Sequence, residues 1–249
     1  DVCSSDLGTF SGVAKSTNDG ATWATANTGL PVNNSVRSLA TIGANIFVGV
    51  DDTSGHVYKS TDNGVTWAIA STGLPNATVT NFTVSGSGAT IFLGTVGDGA
   101  FKSTDNGANW TVINNGLTSS SVNALVVNGT SLFAGTQDGI FKSTNDGTSW
   151  SAASVGLAAI TVKSMVLSGT DLFAGTTSGV FKSINNGATW VATNNGLTST
   201  SVSSMVVKGS TIFAGTSTNG VFKSADNGAS WTAVNTGLGS TFVRGFALN

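Results

Sequence analysis

At 249 residues, the chain suits one large all-β domain or two small ones. It can bury roughly 70–75% of the surface its unfolded form exposes, so it needs no disulfides. Only 9% of residues are charged and the net charge is -2, which leaves no basic field for nucleic acid or anionic lipid. All 12 acidic residues are Asp; helix formers are scarce, while Gly, Ser, Thr, Asn and Val abound, a bias toward strands joined by tight turns. The lone Cys3 cannot form an internal disulfide. No apolar run approaches the ~18 residues of a membrane-spanning helix, and none is expected to insert in a membrane. The sequence begins at Asp1 rather than Met and reads as a mature or truncated product.

Taken in chain order, the sequence opens with residues 1–6, which depart from everything after them. Ser5 and Asp6 fall where Leu172 and Phe173 stand in a later copy, and Ala14 replaces a usual Phe. Residues 1–6 are therefore expected to be a leader foreign to the repeat. From there one phrase recurs: KSTNDGATW, KSTDNGVTW, KSTDNGANW, KSTNDGTSW, KSINNGATW and KSADNGASW. Its tryptophans, Trp23, Trp67, Trp110, Trp150, Trp190 and Trp231, are spaced 44, 43, 40, 40 and 41 residues apart. Each unit holds four strand-like segments, A to D. In one unit they are Val122–Val127, Leu132–Gly135, Ile140–Ser143 and the stretch beginning at Trp150. Segment B carries Phe47, Phe92, Phe133, Phe173 and Phe213 in register, and segment C carries Phe101, Phe141, Phe181 and Phe222.

Four short strands in about 40 residues make a propeller blade. A blade packs both faces on its neighbours, which accounts for apolar residues at both parities of segment A. A parallel β-solenoid is the rival, but its coils lack a recurrent tight hairpin. The reading is a single all-β domain over 1–249: a six-bladed β-propeller of four-stranded antiparallel blades. The chain opens on segments B, C and D without an A, and residues 243–248 fit the A pattern. That C-terminal strand is expected to complete the first blade and close the ring, removing its sheet edges.

The phrase Ser-x-Asp/Asn-x-Gly-x-x-Trp resembles the Asp-box, or BNR, repeat of sialidases, sortilin-type ectodomains, some xyloglucanases and photosystem II assembly factor relatives. The likeness covers nearly the whole chain and is closest to tandem-repeat proteins secreted by bacteria. It implies that the phrase is a structural hairpin at the rim, between strands C and D. The turn residues are then Asn18, Asp62, Asp105, Asn145, Asn185 and Asp226, and the glycines Gly20, Gly64, Gly107, Gly147, Gly187 and Gly228. A short polar side chain can bond the turn's N–H groups, glycine supplies the unusual φ, and the Trp anchors neighbouring blades. Half of the six turn residues are Asn, a poor acid, which favours structure over chemistry. The position of Asp146, Asn in several copies, is read as variable, with its change to Ala near neutral, within roughly 0.5 kcal/mol.

Catalysis finds little support. A sialidase needs an arginine cluster and a Tyr–Glu pair, whereas this chain has two Arg, Tyr58 and no Glu. A glycosidase needs two opposed carboxyls, one kept protonated by an apolar surround. The loop aspartates Asp51, Asp52, Asp98 and Asp138 lie instead among small polar residues. His56 has no second His or Cys pair, so neither metal nor cofactor is expected. Lys15, Lys59, Lys102, Lys142, Lys182 and Lys223 share one C-strand slot and read as snorkelling side chains with solvated heads. The second position of segment A reads Arg37, Thr80, Asn123, Lys163, Ser203 and Arg244. If the chain enters A from the face bearing the B–C loops, then Arg37, Lys163, Arg244, Asp51, Asp52, Asp98 and Asp138 form the candidate ligand-binding set. The expected role is a non-catalytic secreted or cell-surface binding module for a glycan or protein. A glycoside hydrolase-like propeller and an assembly factor-like protein are the alternatives. Nothing in the sequence sets an oligomeric state.

Overall fold

In the computed structural model, residues 5–32, 35–51, 56–157 and 160–246 are described. They form strands, turns and coil without a helix, arranged as a six-bladed β-propeller. Blade one holds β1 (Ser5–Thr9), β2 (Gly12–Ser16) and β3 (Ala24–Thr25). Blade two holds β4 (Ser35–Ile42), β5 (Asn45–Asp51), β6 (His56–Ser60) and β7 (Ala68–Ile69). Blade three holds β8 (Thr78–Val84), β9 (Ile91–Val96), β10 (Ala100–Ser103) and β11 (Thr111–Val112). Blade four holds β12 (Val122–Asn128), β13 (Ser131–Thr136), β14 (Gly139–Ser143) and β15 (Ser151–Ala152). Blade five holds β16 (Val162–Ser168), β17 (Asp171–Thr176), β18 (Gly179–Ser183) and β19 (Val191–Ala192). Blade six holds β20 (Val202–Lys208), β21 (Thr211–Thr216), β22 (Val221–Ser224) and β23 (Thr232–Ala233). Each sheet is a simple antiparallel meander in sequence order. The chain divides into two compact units: one runs through Asn114 and takes in Ser120–Val122, the other holds Asn115–Ser119 and Asn123 onward.

Segment B is the core of a blade. All six residues of β13 are buried, which is how a strand covered on both faces reads. Neighbouring blades then share apolar clusters. In the first unit Phe47 and Val57 pack with Phe82, Leu93, Phe101 and Trp110. In the second, Phe133 and Ile140 pack with Met165, Leu172, Phe181 and Trp190.

The first blade differs from the sequence expectation in one respect and follows it in another. No fourth strand joins β1 among the described residues, so its sheet has three strands. Residues 241–246 adopt no strand, and 247–248 lie outside the described residues, as do Cys3 and Asp52. The tail instead packs on blade six: Val243 donates its N–H to the Thr216 carbonyl at 3.0 Å, and the Phe246 ring lies 6.5 Å from that of Phe213. The alignment of the N-terminus does hold. Asp6 pairs with Lys15 in register as Phe173 pairs with Lys182. A carboxyl thus occupies the slot where other blades bury a phenyl ring. Burial pushes its pKa up, against the pull of Lys15 3.9 Å away.

Candidate functional site

The repeat phrase forms the hairpin between strands C and D, and one serine organises it. Ser60 is 1% exposed. Its Oγ donates to Asp62 Oδ1 at 2.7 Å and accepts the Gly64 N–H at 2.8 Å. Asp62 Oδ1 then accepts the Thr66 N–H at 2.9 Å, and Oδ2 accepts the Thr66 hydroxyl at 2.5 Å. Where the copy carries Asn, one bond reverses: Asn145 Nδ2 donates to Ser149 Oγ at 2.9 Å. Both residue types close the turn, so Asp and Asn interchange. Hydrogen bonds from Thr66, Asn109 and Ser230 side chains lead those that hold Asp62, Asp105 and Asp226 down at about 2. Those groups stay ionised and make poor general acids.

The middle residue of each hairpin is not neutral ground. Asp19, Asn63, Asn106, Asp146, Asn186 and Asn227 all have φ between 53° and 59°, followed by glycines that are also positive. Asp146 is therefore held in the left-handed region, which Asn and Asp tolerate and Ala resists.

The hairpin tryptophans are the joints between blades. Trp67, Trp110, Trp190 and Trp231 are at most 5% exposed. Their Nε1 groups donate to the carbonyls of Ala26, Ala70, Ala153 and Thr193 in the preceding blade, each at 2.8 Å. Their main-chain N–H groups reach the carbonyls of Thr28, Thr72, Val155 and Asn195. A Cβ on Gly29, Gly73, Gly156 or Gly196 would overlap the incoming Trp carbonyl.

The lysines of strand C belong to the same joint. Lys59, Lys142 and Lys182 lie 5.6, 5.4 and 5.4 Å from the ring centres of Phe47, Phe133 and Phe173. Their ammonium groups donate to the carbonyls of Asn106, Asn186 and Asn227, the left-handed residues of the following blade. They are inter-blade ties rather than merely solvated heads. Strand spacing shows the shared slot, but the acceptor lies some 44–47 residues away and leaves no local signal.

The opposite end of each blade carries the B–C turns, together with the start of strand A, since Ser35 pairs with Asp51. Here Thr95, Thr136, Thr176 and Thr216, all at most 1% exposed, donate to the carbonyls of Gly99, Gly139, Gly179 and Gly220. They also accept the N–H groups of Asp98, Asp138, Ser178 and Asn219. Asp98 and Asp138 thus sit at one equivalent turn position in their blades. Asn114, Asn194 and Asn235 latch the loop after strand D by accepting the N–H groups of Ala100, Val180 and Val221. Sequence reasoning missed both the threonines and these asparagines, although each recurs in phase.

Strand A is bulged at the position singled out in the sequence. Register shifts fall between Val36 and Ser38, Val79 and Asn81, Val162 and Ser164, and Val202 and Ser204. Arg37, Thr80, Lys163 and Ser203 are therefore the extra residues, re-aimed by the bulge. The uncharged ones stitch blades: Thr80 donates to the Val122 carbonyl, Asn123 to that of Val162 and Ser203 to that of Val243. The charged ones do otherwise. Arg37 Nε meets Asp51 Oδ2 at 2.5 Å, and Asp51 Oδ1 accepts the Thr78 hydroxyl at 2.9 Å. Lys163 donates to Ser201 Oγ at 3.0 Å, which neighbours Ser217 Oγ at 3.1 Å. Asp138 accepts from Thr118 at 3.2 Å, and the Arg244 guanidinium lies 4.9 Å from the Phe242 ring centre. Of the described residues in the predicted set, Arg37 and Asp51 come together directly, while Lys163, Asp98, Asp138 and Arg244 engage separate neighbours. His56 begins β6, half-buried, with its ring 6.2 Å from that of Tyr58.

A family model described as the DUF6242 beta propeller domain matches residues 3–115, less than half of the chain. No curated protein matches. Among solved structures, the extracellular domain of BT4673 from B. thetaiotaomicron is similar at 20% identity over 85% of this chain and 30% of its own, with a TM-score of 0.71. A GH74 xyloglucanase from Xanthomonas campestris is similar at 14% identity over 90% and 42%, with a TM-score of 0.72. YCF48 bound to D1 peptide is similar at 14% identity over 93% and 78%, with a TM-score of 0.69. The chain thus spans about 30% of the length of the first of these and 42% of the second. At such identities the likeness establishes the β-propeller fold.

Proposed function

We propose that this chain is a non-catalytic, extracellular Asp-box propeller whose B–C turn end recognises a glycan or protein ligand. The observation that carries the reading is where its carboxylates are spent. Asp62, Asp105 and Asp226 are hairpin acceptors held at about 2. Asp51 serves Arg37 and Thr78. Hydrogen bonding from Lys182 lowers Asp171. Asp6, which burial raises, sits beside Lys15 and below Gly64 at the hairpin end. A glycosidase needs a protonated acid facing a second carboxyl, and these placements serve structure instead.

Recognition asks for shape and a few donors and acceptors. At one turn position, successive blades carry Asp98, Asp138, Ser178 and Asn219, three side-chain types on a scaffold that otherwise repeats. Variation confined to one end of a rigid repeat suits ligand choice. The extracellular origin of the BT4673 neighbour supports a place outside the cell, and no described helix is long and apolar enough to cross a membrane. The peptide in the YCF48 structure supports a protein ligand as one of the two classes. Glycan and peptide arrays, run beside a glycosidase panel, test the reading. Binding lost in the Asp98→Ala, Asp138→Ala double variant supports it. Turnover abolished by Asp98→Asn or Asp138→Asn overturns it in favour of a hydrolase.

A further inference from the structure

The second position of strand A has a set task in three blades. Thr80, Asn123 and Ser203 each donate to a carbonyl of the next segment A, those of Val122, Val162 and Val243. Lys163 breaks the series. By position its acceptor would be the Val202 carbonyl, yet its ammonium donates to Ser201 Oγ at 3.0 Å. The other cation at this position in a strand A, Arg37, is neutralised by Asp51. Lys163 is half-buried in β16 and makes no ion pair with any described carboxylate. In blade four Asp138 accepts from Thr118, and blades five and six carry the uncharged Ser178 and Asn219 at that turn position. Ser201 itself is fixed, because its carbonyl accepts the Ser217 N–H at 3.0 Å. Polarised by the ammonium, the Ser201 hydroxyl donates onward to Ser217 Oγ, 3.1 Å away. The Ser217 proton then points out of the chain of bonds. An ammonium has three donors and no acceptor, and two of those donors remain unspent. The cluster thus offers two N–H groups, one O–H and an unneutralised positive charge.

We propose that Lys163, Ser201 and Ser217 bind the carboxylate of an acidic sugar, a uronic acid within a glycan. This rests on the recognition role proposed above and names the ligand's chemistry. A carboxylate is an acceptor-only group with two oxygens, so one can take the ammonium and the other the Ser217 hydroxyl, in charge-assisted bonds. The surroundings favour a sugar over an acidic peptide. Thr161 is tied to Thr177, and Ser199 to Thr218, so the ammonium lies among short hydroxyl side chains. Such groups match the hydroxyls of a sugar ring. Peptide recognition draws instead on apolar pockets or a free sheet edge, and the stretches 198–201 and 216–219 carry no apolar side chain.

Isothermal titration calorimetry tests this with oligogalacturonate, oligomannuronate and a glucuronate-containing oligosaccharide, each beside its methyl ester. At least one acid is expected to bind at least about tenfold more tightly than its own ester, and to weaken as salt is raised. Lys163→Gln should erase that difference, and Lys163→Arg should keep most of it. Lys208→Gln, which removes a charge at the far end of a strand A, should leave it unchanged. Ser217→Ala keeps every charge and should weaken the acid about threefold without touching the ester, a readout that stands even where a lysine variant folds poorly. Acids and esters that bind alike, or not at all, overturn the proposal. A hexa-aspartate peptide that displaces the acid with equal affinity overturns the assignment to a sugar. Neutral ligand binding that needs Asp98 and Asp138 but ignores Lys163→Gln overturns the proposal and leaves the recognition role standing. Uronate binding that needs Lys163 but ignores the Asp98→Ala, Asp138→Ala pair upholds it and removes those aspartates from that role.

Discussion

The two ends of each blade are built by different rules. At the hairpin end, a serine, an Asp or Asn, a glycine and a Trp recur with the same bonds in copy after copy. At the B–C turn end, a buried Thr holds the backbone, while the residue beside it changes from Asp to Ser to Asn. One end has its side chains turned inward to join blades; the other has them turned outward over a fixed main chain. Repetition marks where stability is made, and its relaxation marks the end to which the proposed recognition role is assigned.

The comparison breaks most visibly at the Trp. Trp190→Ala removes an indole 2% exposed and its bond to Ala153, and should cost about 3–5 kcal/mol. Urea midpoints at neutral pH read this directly; a shift under about 1 kcal/mol would place the joint's strength elsewhere. Ser183→Ala leaves the Gly187 N–H and Asn185 Oδ1 without their shared partner and should cost about 1–3 kcal/mol. Asp146→Ala should cost about 1 kcal/mol through backbone strain, and Asp146→Gly should recover most of it. Equal melts for these last two variants would remove the strain argument.

The aspartate hairpins also give a pH signature. Folded Asp62, Asp105 and Asp226 titrate at about 2, below the usual carboxylate value of 3.8. A depressed folded pKa adds stability that is fully present above the unfolded value and is lost as pH falls through the folded one. Melting temperature should therefore fall between about pH 4 and 2 more steeply in the wild type than in the Asp62→Asn, Asp105→Asn, Asp226→Asn variant. Parallel curves would show that the Asp and Asn hairpins are equivalent at all pH. The smallest stability effect belongs to the other end. Arg37→Ala and Asp138→Ala should each stay within about 0.5 kcal/mol of the wild type, since exposed pairs contribute little. A loss above 1 kcal/mol would make the turn end structural as well.

Much of the hairpin end was readable, because its determinants are local. The phrase, its Trp and the interchange of Asp with Asn all lie within nine residues. The bulge at Arg37 and Lys163 was not readable, because a bulge is a relation between two strands and neither carries its mark. The Lys142 tie escaped for a similar reason, its acceptor Asn186 lying in the following blade. The tail taught the opposite lesson. Residues 243–246 match the A pattern and do lay Val243 against Gly215, as Val202 lies against Gly175, yet no strand forms there. A side-chain pattern specifies which surface is covered, whereas a strand also needs a partner backbone at its edge.

The serine at the head of each hairpin has a chemical consequence. Four copies carry Asn-Gly at the turn, at Asn63, Asn106, Asn186 and Asn227, a dipeptide prone to spontaneous deamidation. That reaction begins when the glycine nitrogen attacks the asparagine side-chain carbonyl. Here the glycine N–H groups are bonded to Ser60, Ser103, Ser183 and Ser224 at 2.8–2.9 Å, a bond that must break before the nitrogen can attack. Ageing of the folded protein at these sites is then governed by how often a hairpin opens rather than by the intrinsic rate of the dipeptide. The same bond that shapes the turn sets the chemical lifetime of these four asparagines.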